Sequence, residues 1–139
     1  MKHLFFISLA LLAFVISCGT VKVSSQSGEF NLEATSWQVE QLNGNIIEPV
    51  EANFTLLFSE DGTLNARGAC NIIFGDYIQK SGGVLSLSPK GMTRTACPDM
   101  DVEAQYIKAL ESVVSFDVVD GVLHLMDSQG DTVVTLKSK

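Results

Sequence analysis

The sequence contains few basic residues, few histidines and few cysteines, and each shortage argues against a class of function. Nine of the 139 residues are Lys or Arg, scattered through a chain whose formal net charge is −7. Because attraction to nucleic acid or to an anionic membrane face depends on clustered positive charge, we predict no nucleic-acid partner. Beyond the first eighteen residues only two Cys and one His remain, too few for the usual four-ligand structural zinc site. No metal or cofactor is therefore expected.

The common catalytic motifs are also missing from the sequence. It contains no Gly-x-Ser-x-Gly elbow, no Walker loop and no dinucleotide-binding fingerprint. His124 could pair with a cysteine in nucleophilic catalysis, but it alternates with Leu123 and Leu125. This alternation places His124 opposite the inward-facing leucines, on the solvent side of a strand. No catalytic residue is assigned, and we expect a protein that is not an enzyme.

A single long apolar run occupies residues 4–16 near the N-terminus. Its 13 residues are too few to span a bilayer, which takes about 20. The segment ends in Val15-Ile16-Ser17-Cys18, which resembles a bacterial lipobox. We therefore predict a lipoprotein signal peptide over residues 1–17 and lipidation of Cys18. The alternative is an ordinary cleaved signal followed by an unmodified cysteine.

By resemblance to bacterial lipoproteins, Cys18 would carry acyl chains such as palmitate, and the membrane would be a partner through this lipid. Gly19 follows the cysteine and no Asp does, which by the same resemblance favours the outer membrane, facing the periplasm. Residues 18–34 are rich in Ser, Gly, Gln and Val without periodicity, as is typical of a flexible tether. The folded domain is predicted over residues 35–139.

Alternation of apolar and polar residues predicts about eight strands in this domain. Trp37 and Val39 alternate with polar neighbours, and residues 54–58 alternate before an Asp-Gly turn at 61–62. The further predicted strands cover residues 63–67, 76–80, 84–87, 115–119, 122–126 and 132–137.

A single helix is predicted after Cys97, where the apolar period changes. Apolar residues at 100, 106, 107, 110 and 113 or 114 fall at helical spacing, and Pro98 fits the first helical position. Glu103 and the charged residues at 108 and 111 are expected to point away from the core. A helix packed on a curved, largely antiparallel, half-barrel-like sheet gives an α+β fold.

Cys70 and Cys97 are the only cysteines outside the N-terminal segment. They bracket a stretch with turn residues at Gly75 and at 81–83, and we predict that they form a disulfide. They are 27 positions apart, whereas redox-active pairs are separated by two residues. A structural disulfide is therefore favoured over an exchanging one.

Four residues beside the cysteines are candidate contact residues: Asn71, Ile72, Phe74 and Arg94. Loops held by a rigid scaffold commonly carry binding. Asn71 and Arg94 either bind a ligand or have structural roles, Asn71 by tolerating left-handed geometry and Arg94 by fixing loop carbonyls. Ile72 and Phe74 either fill the core, the favoured interpretation, or form an exposed apolar lip.

The motifs Gly68-Ala69-Cys70-Asn71 and Thr93-Arg94-Thr95-Ala96-Cys97 occur in one chain with Trp37, Tyr77 and the strand at 54–58. In this combination the chain resembles the META domain of HslJ-like bacterial envelope proteins over nearly all of residues 35–137. The resemblance implies a secreted or lipid-anchored protein linked to stress responses. It implies no agreed enzymatic activity.

Two functional hypotheses follow. The first is a non-enzymatic binding or interaction module whose partner is an envelope protein or a small ligand. The alternative is an unrecognised hydrolase or thiol enzyme that uses the region of Cys70 and Cys97. A buried, oxidised cysteine pair would count against the enzyme, and a deep polar pocket with a perturbed titratable group would support it.

Overall fold

A computed structural model describes residues 30–48 and 53–139 of the chain. Within these ranges the chain forms nine strands and one helix. In chain order the elements are β1 (Ser36–Leu42), β2 (Asn45–Ile46), β3 (Thr55–Phe58), β4 (Thr63–Arg67), β5 (Ile72–Lys80), β6 (Val84–Met92), α1 (Met100–Ser112), β7 (Ser115–Val119), β8 (Val122–Met126) and β9 (Thr132–Ser138).

The nine strands pair antiparallel in one curved sheet whose ends meet. Strands β3 to β9 follow one another in chain order, and β1 pairs with both β3 and β9, so the pairings close into a ring. The weakest junction joins β6 to β7, where only Val84 and Ser115 are in register. The predicted α+β class and curved antiparallel sheet are confirmed. The additional strand is the short β2, a hairpin partner of β1.

The hydrophobic core lies inside the ring because the inward positions of the strands are apolar. Along β1, Trp37, Val39 and Leu42 are buried, and along β8 the buried residues are Leu123 and Leu125. Burial of each such side chain contributes about 1.5–3 kcal/mol. The sheet is therefore a well-packed scaffold for the loops at its ends.

The folded part of the chain begins earlier than residue 35. Leu32 is fully buried, the rings of Phe30 and Trp37 lie 6.0 Å apart, and Glu33 bridges to Phe58. The prediction that the tether extends to residue 34 is wrong for residues 30–34, because Leu32 packs into the core. The rest of the predicted tether, Cys18 and the predicted signal peptide lie outside the described residues.

Helix α1 differs from its prediction at its start and on its buried face. Asp99 is the N-cap residue, so Pro98 precedes the helix instead of opening it. Met100 is 46% exposed and Glu103 only 2% exposed, both opposite to expectation. The buried helix residues are Glu103, Tyr106, Ala109 and Leu110. Among the helices of the described ranges, none is long and apolar enough to cross a membrane.

Candidate functional site

A disulfide joins two loops at one end of the sheet. Cys70 lies between β4 and β5, Cys97 lies between β6 and α1, and their Cα atoms are 6.2 Å apart. The predicted pairing is confirmed. The bond fastens the chain before β5 to the chain before α1, so the sheet and the helix are linked covalently at this point.

Beneath the disulfide, the carboxylate of Glu103 binds the backbone of the loop between β4 and β5. Its Oε2 accepts the N–H groups of Cys70 at 3.0 Å and of Asn71 at 2.8 Å. Its Oε1 accepts from Asn71 Nδ2 at 2.6 Å. A buried charge is costly unless hydrogen bonds compensate it, and these donors explain why Glu103 lies on the inner side of α1. A side chain at Gly68 would overlap the carboxylate.

Burial raises the pKa of Glu103, but the hydrogen bonds outweigh burial. The side chain of Asn71 and the backbone N–H groups of Cys70, Asn71 and Ala69 hold the pKa of this carboxyl below its usual value. Glu103 is therefore ionised at neutral pH. An ionised carboxylate surrounded by donors anchors the loop, whereas a general acid or base needs a pKa near the working pH.

Asn71 is buried, with 1% of its surface exposed. Its Oδ1 accepts the Thr95 N–H at 2.7 Å and the Thr93 hydroxyl at 2.9 Å, while Nδ2 also donates to the Thr95 carbonyl at 3.0 Å. The backbone of Asn71 is not left-handed. The prediction of Asn71 as a contact residue is therefore corrected: it joins the two loops and α1 from within.

Ile72 and Phe74 lie on the outer face of β5. They are 41% and 49% exposed, whereas Ile73 between them is 1% exposed. The favoured prediction that they fill the core is wrong, because the alternation of β5 turns Ile73 and Gly75 inward instead. The other alternative, an exposed apolar lip, describes them correctly.

The ring of Phe74 packs along the sheet surface. In register, Phe74 lies opposite Asn65 on β4 and Gly91 on β6. A Cβ at Gly91 would lie 2.6 Å from Cζ of Phe74, so glycine leaves the space that the ring occupies. Leu57 on β3, opposite Asn65 and 38% exposed, extends the apolar surface.

The chain has two arginines, and the backbone of each passes close to Ile72. Arg67 pairs in register with Ile72, and residues directly opposite in an antiparallel pair point to the same face. Arg94 follows Thr93, whose N–H donates to the Ile72 carbonyl at 3.0 Å. Both arginines are exposed. We name Arg67, Ile72, Phe74 and Arg94 the arginine-flanked face.

In the described part of the chain, the side chains of Arg67 and Arg94 make no hydrogen bond and no ion pair. In these ranges Arg94 donates no side-chain hydrogen bond to a loop carbonyl, so the interpretation that it fixes loop carbonyls is not supported. By contrast, Lys90 pairs with Asp76 on the same side of the sheet. Within residues 30–48 and 53–139, the arginine-flanked face thus carries two guanidinium groups without an ion-pair partner.

Comparison with known protein families shows the family to which this fold belongs. A family model described as the META domain matches residues 30–139. The chain belongs to the META-domain family. The match includes residues 30–34, which agrees with the correction of the domain boundary.

Solved structures similar to this META domain have the same fold. An NMR structure of a protein from Burkholderia xenovorans has a TM-score of 0.60 and 28% identity, covering 78% of this chain and 83% of that chain. A crystal structure of a DUF4847 family protein from Bacteroides vulgatus has a TM-score of 0.59 at 15% identity, covering 76% and 93%. At that identity the likeness shows the fold alone. No curated protein matches the chain significantly.

The cysteines and His124 are the candidate reactive side chains of the META domain. Both cysteines of the domain are in the disulfide, so neither presents a thiolate. His124 on β8 lies opposite Asp117 and Thr135 in register, between the buried Leu123 and Leu125. In residues 30–48 and 53–139, no group of three His, Cys, Asp or Glu could hold a metal ion.

A cavity of about 510 Å³ opens elsewhere on the META domain, along β1, β2 and β9. Its lining includes Ile46 and the ion pair between Glu40 and Lys137, whose Oε1 and Nζ atoms are 2.7 Å apart. It shares no residue with the arginine-flanked face, and its lining, which includes the hydroxyl of Ser138, contains no Cys or His.

Sequence reasoning missed two residues of this site, Glu103 and Arg67. A usable signal existed for Glu103, because it lies three and seven positions before Tyr106 and Leu110, which places all three on one helix face. For Arg67 the signal was symmetry, since Arg67 and Arg94 each stand three residues before a cysteine of the pair.

Proposed function

We propose that this META domain is a non-enzymatic binding module of the bacterial cell envelope, held at the outer membrane by a lipid on Cys18 and facing the periplasm. The observation that carries the binding role is the arginine-flanked face. Exposed apolar side chains beside charged groups are typical of a contact surface, and Ile72 and Phe74 are nearly half exposed.

The structure around this face favours binding because it is already organised. The disulfide, the Glu103 carboxylate and the Asn71 side chain hold the ends of β5 and β6 together. A surface ordered before binding loses little conformational entropy when a partner arrives. A protein or small molecule can therefore bind here without a rearrangement of the sheet.

The alternative, a hydrolase or thiol enzyme, has less support. A thiol enzyme needs a thiolate, and Cys70 and Cys97 are bonded to each other. The buried carboxylate in the same region, Glu103, has a lowered pKa and is held by loop N–H groups. The disulfide and the Glu103 carboxylate both stabilise the fold, which supports binding, and not catalysis, as the function of this region.

The membrane location rests on the apolar run at 4–16 and on Ser17-Cys18. Acyl chains contribute roughly 0.8 kcal/mol per buried methylene, so two or three chains anchor a protein stably. A role in the envelope stress response is part of the proposal, supported by the likeness to HslJ-like proteins.

The location is tested with Cys18→Ala. Cells that express the wild type and the variant are fed an alkyne-labelled palmitate and fractionated. We expect label in the wild type alone and loss of the variant from the membrane fraction. A variant that is processed normally and stays in the membrane would contradict the lipid anchor.

The binding role is tested with Phe74→Ala in the full chain. Proteins crosslinked to the wild type and to the variant in intact cells are compared by quantitative mass spectrometry. We expect specific partners to be depleted with Phe74→Ala and retained with Ile46→Ala, a control at an apolar residue that is 75% exposed on β2. Equal recovery with both variants would refute the contact role of this face.

A further inference from the structure

We propose that the arginine-flanked face binds an extended, acidic segment of a protein partner, whose carboxylates pair with Arg67 and Arg94. This inference rests on the binding function proposed above and adds the chemistry of the partner. It is carried by the placement of the two arginines, by the charge of the rest of the molecule and by the spacing of the apolar side chains.

The two arginines stand on either side of Ile72. Arg67 on β4 is the register partner of Ile72. On the other side of Ile72 lies Thr93, which precedes Arg94. The N–H of Thr93 donates to the Ile72 carbonyl, and the N–H of Ile72 donates to the Thr93 hydroxyl. Neighbouring strands are about 4.8 Å apart, so the backbones of Arg67 and Thr93 are roughly 10 Å apart. The backbone therefore places one arginine directly beside Ile72 and the second arginine one residue beyond the position on its other side.

Arginine suits carboxylates for a geometric reason. The planar guanidinium donates two parallel N–H bonds to the two oxygens of one carboxylate. The chain has seven lysines but only two arginines, and both lie at this face. A surface that needed positive charge alone could use lysine, so this placement favours a partner with planar anionic groups.

The charge of the whole chain makes this location selective. With a formal net charge of −7, most of the surface repels an acidic segment. The nearby Lys90 is neutralised by Asp76, whereas Arg67 and Arg94 are unpaired in the described ranges. The same negative charge opposes long polyanions and anionic bilayers, which would meet the acidic surface beyond the face. A short acidic segment avoids that repulsion.

The apolar side chains indicate an extended partner. Ile72 and Phe74 are two residues apart on β5, a spacing of about 6.8 Å, which is also the spacing of side chains on one face of an extended peptide. A segment in which acidic residues alternate with Leu or Phe can therefore place apolar groups against Ile72 and Phe74. Its carboxylates are then close to the arginines.

The test measures binding of short fluorescein-labelled peptides to the full chain in mild detergent by fluorescence anisotropy. The probe peptides alternate Asp or Glu with Leu or Phe, and the comparison peptides carry Lys in place of the acidic residues. We expect saturable binding of the acidic peptides below about 1 mM, weakened by added salt. Each of Arg67→Gln and Arg94→Gln should weaken it about tenfold, the effect of about 1.4 kcal/mol.

The control variant is Lys108→Gln, which removes an exposed positive charge from α1 and should leave the affinity unchanged. Arg67→Lys should restore part of the affinity, because the charge returns without the planar fork. Equal melting temperatures of all variants exclude a folding effect. Vesicles containing phosphatidylglycerol form a separate arm, and binding to these that needs both arginines, without peptide binding, would replace the peptide by a lipid surface.

Other outcomes separate this inference from the proposed function. Acidic peptides that fail to bind at about 1 mM, or lysine peptides that bind equally well, would overturn the acidic partner. If Phe74→Ala still depletes partners in cells while the two arginine variants do not, the face binds a partner of different chemistry. If none of these variants changes partner recovery, the binding role of the face itself fails.

Discussion

Two adjacent residues at the start of β5 lie in opposite environments. Asn71 is 1% exposed and Ile72, its direct neighbour, is 41% exposed. The polar residue is inside and the apolar residue is outside, which reverses the usual distribution. On the inner side, Asn71 and Glu103 satisfy each other and the loop backbone. On the outer side, the arginines have no described partner.

The inner side of this segment therefore stabilises the fold, whereas the outer side is available for contact with a partner. A buried polar network is stable only when its donors and acceptors are paired, and no buried side-chain N or O atom lacks a partner in the described ranges. Exposed apolar residues contribute little to the fold. Variants on the inner side should therefore change stability, and variants on the outer side should change binding.

The largest effect on stability is expected from removal of the disulfide. Cys70→Ser with Cys97→Ser opens a loop between residues 27 positions apart, for which the chain-entropy model gives roughly 3.6 kcal/mol, an upper estimate. Since domains of this size are stable by about 5–15 kcal/mol, the melting temperature should fall markedly. Thermal unfolding followed by circular dichroism measures the loss. Two titratable thiols in the unreduced, exported wild type would contradict the pairing.

The next largest effect is expected from Glu103→Gln. The variant replaces the ionised acceptor of the loop N–H groups by a neutral amide, and hydrogen bonds to charged groups are worth roughly 2 kcal/mol each. Urea unfolding should show a loss of about that size. The matched control is Glu111→Gln, which changes an exposed carboxylate on the same helix and should have almost no effect. A similar loss in both would mean that helix charge, and not the loop anchor, is responsible.

A smaller, pH-dependent effect follows from the lowered pKa of Glu103. The pKa of this carboxyl is below its ordinary 4.5 in the folded state, so folding favours the ionised form. The resulting stabilisation is complete above about pH 4.5 and is lost as the pH falls through the folded-state pKa. The difference in unfolding free energy between wild type and Glu103→Gln should therefore shrink in acid. A difference that is constant down to pH 2 would show that ionisation contributes nothing.

The sequence predicted the strands and the disulfide, but it predicted neither the inner hydrogen-bond network nor the exposure of the outer residues. Alternation located β3, β4, β7, β8 and β9 and the parts of β5 and β6 next to their shared turn, and the two cysteines of the domain identified the disulfide, because the sequence shows these features directly. The inner network was not predictable in the same way, since Glu103 reaches Cys70 across more than thirty positions and a carboxylate on a helix ordinarily faces water. Ile72 and Phe74 were assigned to the core because apolar residues usually are, and their exposure required the register of β5.

The smallest effect on stability, and the sharpest test of the comparison, is expected on the outer side. Ile72→Ala and Phe74→Ala remove side chains that are nearly half exposed, so each should change the unfolding free energy by only about 0.5 kcal/mol. The matched control is Ile73→Ala on the inner face, 1% exposed, where loss of a buried aliphatic chain costs about 2–5 kcal/mol. Chemical unfolding of the three variants measures both sides of one strand. If Phe74→Ala unfolds the domain as Ile73→Ala does, its packing against Gly91 belongs to the core of the fold, and the arginine-flanked face loses its apolar component.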